Sequence, residues 1–269
     1  MKSSFYLSSK EVFLDIVDAK EYVQLDRGSA LYQSLKDSVK KPLKMILFYG
    51  KPGTGKSMML NKLYEDLKPH QKVIMYHTPL LNEEEFLKSL ARDIYGIRAE
   101  DGLNFTTFNE LSDKHEFEIT PLVLLDEAQL YSSELMEKIR LISDARKIKF
   151  IITLHKTEKE DIIAKEHFQT RIWETLELHN ATAAELKIYI QKKLIKNNCF
   201  DVANMFDNKN VKCLHNITQG NYRDTNKLLF TLFSIYSWYE ENQPTKINYS
   251  NISNKIIEMA AIQSGFIDA

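Results

Sequence analysis

The chain has 269 residues, of which 43% are hydrophobic and 27% charged, a composition that suits a globular protein and a length that makes one large domain or two small ones. Its 36 Lys and Arg nearly cancel its 37 Asp and Glu, so no chain-wide basic field exists for nucleic acid; a local basic patch is still allowed, and the balance weighs only weakly against DNA. Two cysteines, Cys199 and Cys213, are too few for a disulfide framework and lack metal-ligand spacing, and they read as buried free thiols in a reducing compartment. No apolar run reaches the roughly 20 residues of a membrane span, and Met1–Phe5 has no apolar h-region behind it. The expectation is a cytoplasmic protein, or one peripheral to an inner membrane through a partner.

In chain order, residues 5–24 mix apolar and charged side chains without a clear period and read as an N-terminal arm. Residues 28–41 predict a helix with Ala30, Leu31, Leu35 and Val39 as its apolar stripe, stopped by Pro42. Met45–Tyr49 is a short, wholly apolar run ending at Gly50, as a buried parallel strand requires. A helix follows Lys56 to about Leu67, and Val73–Tyr76 is a second strand. Asn82 and Glu83–Glu85 open a helix with acidic residues in its first turn, where the macrodipole favours them. Leu122–Leu125 is a third strand, and Ser132 or Ser133 caps the helix carrying Leu135, Ile139 and Ile142. Phe150–Thr153 and Thr175–Leu178 complete five strands. Beyond about Asn180 only helices are predicted, over residues 183–195, 210–217, 221–240 and 250–263. The aromatic run Phe230–Tyr239 reads as the core of that helical part. Strands alternating with helices imply an α/β fold with a mainly parallel sheet. The expected organisation is an arm over 1–27, an α/β base over 28–179 and an all-helical lid over 180–269.

The densest chemical signal is Gly50-Lys51-Pro52-Gly53-Thr54-Gly55-Lys56-Ser57, between a strand and a helix. Gly50, Gly53 and Gly55 let the backbone turn its N–H groups onto phosphate oxygens, and the helix start adds a positive end. Pro52, Thr54 and Met58 complete the nucleotide-contacting stretch. Lys56 reaches the β- and γ-phosphates, and Ser57 ligates Mg²⁺. Asp126 and Glu127 close the third strand, at the edge where α/β sheets bind ligands. Asp126 is suited to hold Mg²⁺ through its water shell, and Glu127 to polarise the attacking water, which makes the chain an ATPase. Thr153, with His155 as second choice, ends the fourth strand where a polar group meets the γ-phosphate or the water. Thr78 or His77 ends the second strand and is a candidate to hold Glu127 in an idle pose.

The order of phosphate loop, Asp-Glu strand, polar strand end, Thr170-Arg171-Ile172 and helical lid resembles an AAA+ ATPase. More narrowly, Leu124–Gln129, Glu137–Ser143 and Thr78–Leu81 with Glu84–Leu87 resemble the ExeA/GspA-type (MshM-like) secretion and pilus-biogenesis ATPases over roughly residues 28–265. That resemblance implies a P-loop sheet with an AAA+ lid, ATP and Mg as cofactors, and a nucleotide-dependent homo-oligomer. It implies that Arg171 acts in trans as an arginine finger, and that Arg223, in Gly220-Asn221-Tyr222-Arg223, is the lid arginine contacting the γ-phosphate. Arg140 also matches a family position, with no assigned task. The implied role is motor or switch for an envelope machine, such as type II secretion, a type IV pilus or DNA uptake. This chain ends at Ala269 without the membrane helix and peptidoglycan-binding module frequent in that family, so envelope contact is expected through another protein. The alternative is a nucleic-acid-associated AAA+ regulator of the TniB-like transposition or origin-binding type. A non-hydrolysing scaffold would need neither Glu127 nor Arg171.

Overall fold

A computed structural model of the protein describes residues 5–99, 101–156 and 172–268. The chain divides into two compact units, one of Ala30–Pro52 and Lys56–Leu178, the other of Met1–Ser29, Gly53–Gly55 and His179–Ala269.

The first unit is built on the apolar runs. Strands β1 (Met45–Gly50), β2 (Val73–Tyr76), β3 (Leu122–Leu125), β4 (Lys149–His155) and β5 (Ile172–Leu178) form one sheet in the order β2-β3-β4-β1-β5. Every pairing is parallel. Side chains alternate between faces with a period of two, so one run of apolar residues feeds two cores. Ile46, Phe48, Leu122, Leu124 and Ile151 lie in one core with Leu35 and Val39 of helix α2 (Asp26–Lys40) and with Met59, Leu60 and Leu63 of α3 (Lys56–Leu67). Met45, Leu47, Val123, Leu125, Phe150 and Ile152 share the other core with α4 (Glu83–Leu90), α5 (Phe105–Asp113) and α6 (Ser133–Asp144).

Local chemistry sets the helix ends. Asn82 caps α4 by accepting the N–H of Glu85 at 3.0 Å, and of the two serines it is Ser132 that caps α6, accepting from Leu135 N–H at 3.1 Å. Helix α4 runs on into a π-helical turn, Ala91–Tyr95, which ends where Gly96 takes a left-handed conformation (φ 74°). Helix α5 was not expected from the sequence, because Thr106 and Thr107 hide a nine-residue helix; Asn104 and Thr107 start it with a reciprocal capping box. Strands β4 and β5 extend beyond the predicted runs, to His155 and back to Ile172.

The second unit is helical: α7 (Ala183–Lys196), α8 (Phe200–Asn204), α9 (Asn208–Thr218), α10 (Tyr222–Asn242) and α11 (Asn254–Gln263). Thr182 and Glu185 form a capping box that starts α7. Leu186, Ile190 and Leu194 recur every four residues and face the core together with Leu228, Leu232 and Phe233 of α10. The N-terminal arm departs from its expected irregularity. Residues Phe5–Glu11 form helix α1, and Tyr6 and Phe13 are buried in the helical core. The Tyr6 ring lies 4.7 Å from Tyr236 and the Phe13 ring 5.8 Å from Phe233. The aromatic run Phe230–Tyr239 splits accordingly, with Phe233 and Tyr236 buried and Trp238 51% exposed. Cys199 and Cys213 are free and half-buried rather than buried. Among the described residues no helix is long and apolar enough to cross a membrane.

Candidate active site

Strand β1 lies between β4 and β5 and delivers its last residue, Gly50, to the start of the phosphate loop. The loop closes at Lys56, the first residue of α3. Gly53 and Gly55 have φ of 77° and 96°, the left-handed region that a side chain disfavours. At Gly53 an added Cβ would also come within 2.2 Å of Asn221 Oδ1. Lys56 is 5% exposed, an extreme burial for a lysine, and its Nζ donates to the carbonyls of Gly50 at 2.8 Å and Lys51 at 3.0 Å. The cation is therefore held at the loop by the loop's own backbone. Thr54 is buried, while Pro52 is exposed and Ser57 and Met58 are half-buried. Ser57 stands in the first turn of α3.

Gly53–Gly55 group with the helical unit, where Gly53 O accepts the N–H groups of Tyr222 at 3.1 Å and Arg223 at 3.3 Å. Asn221 caps α10 by accepting from Arg223 N–H at 3.1 Å and Asp224 N–H at 3.2 Å. Arg223 thus sits in the first turn of α10, with Nε 3.5 Å from Asp15 Oδ2.

The end of β3 is more tightly built than its sequence suggests. Asp126 is 4% exposed, and its Oδ1 accepts the hydroxyl of Thr153 and, at 3.0 Å, the N–H of Glu127. The same Glu127 N–H is shared with Thr153 Oγ1 at 3.1 Å. Register explains the meeting: β3 and β4 pair in parallel with Leu125 opposite Ile152, so the next residues, Asp126 and Thr153, emerge side by side. Thr153 is fully buried and its hydroxyl is committed to these two partners. The sequence assigns Thr153 to the γ-phosphate or the water; in the structure its hydroxyl donates to the Asp126 carboxylate. Glu127 has φ 50° and ψ 42°, a left-handed conformation uncommon outside glycine and held here by the two bonds to its N–H.

His155 Nε2 lies 3.9 Å from Glu127 Oε1, and Gln129 Nε2 lies 3.3 Å from His155 Nδ1. His77 and Thr78 are exposed, and neither bonds to Glu127. Sequence reasoning gave Gln129 no role, because only the folded register brings it to His155. Arg140 is buried and serves an ion-pair network: its guanidinium donates to both oxygens of Glu137 and to Asp144 Oδ2 at 2.6 Å, and Asp144 also pairs with Lys44 at 2.7 Å. The Glu137 carboxylate raises the Arg140 pKa further, and the network ties α6 to the segment before β1. Arg171 lies outside the described residues.

Oxygen donors are the right set for Mg²⁺, and Ser57 Oγ and Asp126 supply them. Both bonds to Asp126 end on Oδ1, which leaves Oδ2 for a metal-bound water. Among the described residues no group of three or more His, Cys, Asp or Glu can hold a metal by itself.

Residues 40–162 match the family described as AAA domain. The curated chromosomal replication initiator protein DnaA of Helicobacter hepaticus is 24% identical over 220 residues, which cover 79% of this chain and 44% of DnaA. The chain thus spans less than half the length of that relative. The structure is similar to Cdc6p of Pyrobaculum aerophilum, with a TM-score of 0.65 and 16% identity over 95% of this chain and 71% of that one. It is similar to the same degree, TM-score 0.65 and 16% identity, to the ORC1 protein of Aeropyrum pernix solved in complex with DNA, over 94% of this chain and 69% of that one. None of these three is a secretion or pilus protein, so the narrower resemblance to envelope ATPases has no counterpart among them. The sheet order, the phosphate loop at the end of β1, the Asp-Glu end of β3 and the helical C-terminal part are those of the P-loop AAA+ fold.

Proposed function

We propose that the protein binds ATP with Mg²⁺ at the loop Gly50–Ser57, hydrolyses it through Glu127, and works as a nucleotide-controlled switch on DNA in the manner of the origin-binding AAA+ proteins. The observation that carries hydrolysis is the end of β3, where Asp126 and Glu127 are fixed through one buried hydroxyl, Thr153, beside the strand that feeds the phosphate loop.

Each residue then has one task. Lys56 and the loop N–H groups neutralise the phosphates. Ser57 would hold Mg²⁺ directly and Asp126 through a bound water, and the ion would supply positive charge to the phosphate oxygens. Glu127 accepts a proton from water as the water oxygen attacks the γ-phosphorus and the β–γ bridge breaks. Arg223 reads the γ-phosphate from the helical part, and Arg171 of a neighbouring copy stabilises the charge of the transferring group, which requires an oligomer.

The DNA assignment is supported by the likeness to a replication initiator and to a protein solved on DNA. It replaces the envelope-machine reading as the leading one. Steady-state ATP turnover with and without duplex DNA tests it, together with ATP-dependent retention of the protein on DNA. The expected result is stimulation by DNA and retention that needs ATP. Turnover indifferent to DNA, with envelope components copurifying from native cells, would return the function to the envelope.

A further inference from the structure

The carboxylate of Glu127 is the least restrained part of the end of β3. Its backbone is pinned, yet the side chain is 44% exposed and takes no hydrogen bond from a described residue. What faces it is His155, whose Nε2 stands 3.9 Å from Oε1. That distance is beyond a direct hydrogen bond, and a small rotation or one bridging water closes it.

The state of His155 follows from Gln129. The side-chain nitrogen of Gln129 has only hydrogens to offer, and it points at His155 Nδ1 from 3.3 Å. Nδ1 must then carry the lone pair, which places the proton of the neutral ring on Nε2, facing Glu127. This is the only side-chain hydrogen bond of Gln129 among the described residues, and its Oε1 is buried without a partner. The pairing of Gly50 with His155 puts the ring on the strand next to the one that enters the phosphate loop.

We propose that Gln129 and His155 act as one positioning pair for Glu127. Gln129 sets the His155 tautomer, and the Nε2–H of His155 steers the Glu127 carboxylate toward the water it polarises. Neither residue touches the reacting atoms. The inference rests on the reading of Glu127 as the water-polarising group.

The test uses the full chain labelled with ¹⁵N at its seven histidines, with the His155 signal identified by its loss in His155→Asn. The wild-type spectrum should show the Nε2–H tautomer alone at His155, and Gln129→Ala should let the Nδ1–H tautomer appear beside it. An Nδ1–H tautomer in the wild type, or a tautomer indifferent to Gln129→Ala, would overturn the pair. In single-turnover hydrolysis His155→Ala should slow the chemical step about 10-fold, the lower end of what supporting groups cost, while ATP affinity stays within about twofold. His155→Asn, which keeps a side-chain N–H, should recover part of the loss. Gln129→Ala added to His155→Ala should slow it no further, because the two act as a unit. Additive losses, or a loss that is all affinity, would also overturn it. If the wild type turns over no ATP with or without DNA, the ATPase reading falls, and the tautomer spectra still decide whether the pair exists.

Discussion

The hydroxyl of Thr153 donates to Asp126 Oδ1 from the neighbouring strand, and the same oxygen accepts the N–H of Glu127. One buried group thus fixes both acidic residues. Thr153→Val keeps the shape and removes the hydrogen bonds. It should destabilise the fold by about 1–2 kcal/mol, the cost of losing a buried hydrogen bond to a carboxylate. It should slow hydrolysis by about 10-fold or more, because the Asp126 carboxylate and the Glu127 backbone lose their common anchor. Denaturant melts and single-turnover rates check the two parts separately. A variant that melts early but hydrolyses at the wild-type rate would reduce Thr153 to a packing residue.

Lys56 is held by the carbonyls of Gly50 and Lys51. On the proposed reading its cation meets the triphosphate, and one charge-assisted bond to a phosphate is worth about 1.5–3 kcal/mol. Lys56→Ala should therefore weaken ATP binding by at least about 10- to 100-fold. Titration with a fluorescent ATP analogue measures this directly. Retention of wild-type affinity would overturn the assignment of the loop as the phosphate site.

The trans role proposed for Arg171 predicts a complementation. Arg171→Ala should lower turnover and leave ATP binding nearly intact, and Glu127→Gln should do the same by losing the proton acceptor. Mixed oligomers of the two variants contain interfaces with an intact Glu127 facing an intact Arg171, so activity should partly return on mixing. Absence of rescue in oligomers shown to be mixed counts against an arginine supplied from a neighbour.

Lys193 offers a test of the helical unit. It is 6% exposed, with its ammonium 5.4 Å from the Phe13 ring and 5.8 Å from Tyr189. Burial pulls its pKa down from 10.5 to about 8, against the opposing pull of Glu21 and Asp15. The sign follows from linkage. Below the folded pKa both states carry the proton and the cost of burying the charge is present in full. Between about 8 and 10.5 the unfolded chain holds more protons than the folded one, so stability rises with pH. The gap corresponds to about 3 kcal/mol at 1.36 kcal/mol per pH unit, offset by about 1 kcal/mol of cation–π attraction. Lys193→Met should therefore be more stable than the wild type by about 2 kcal/mol at pH 7, and the advantage should shrink as pH approaches 10.5. Urea denaturation of both proteins at pH 7 and pH 10 measures the difference. A constant difference would mean that the ammonium is solvated.

Much of the fold is readable along the chain because its signals are contiguous. Met45–Tyr49 and Leu122–Leu125 are apolar throughout, as strands covered on both faces must be. Gly53 and Gly55 announce the positive φ angles that the loop adopts. Lys56, Ser57, Asp126 and Glu127 stand at the ends of such runs, so their place at one edge of the sheet follows once the strands are parallel. Helix α5 is hard to read along the chain because it opens on a capping box of Asn104 and Thr107.

What only the tertiary structure decided is which distant groups meet. Thr153 reaches Asp126 across 27 residues, and His155 meets Gln129 across 26. Both meetings depend on the β3–β4 register, and a slip of one residue would turn those side chains to opposite faces. Tyr6 and Phe13 look unpatterned locally because their partners, Tyr236 and Phe233, lie more than two hundred residues away. The sequence by itself determined that there is a phosphate loop and an acidic strand end. The fold decided that Thr153 bonds both Asp126 and the Glu127 N–H, and that His155, with Gln129 at its Nδ1, faces the Glu127 carboxylate.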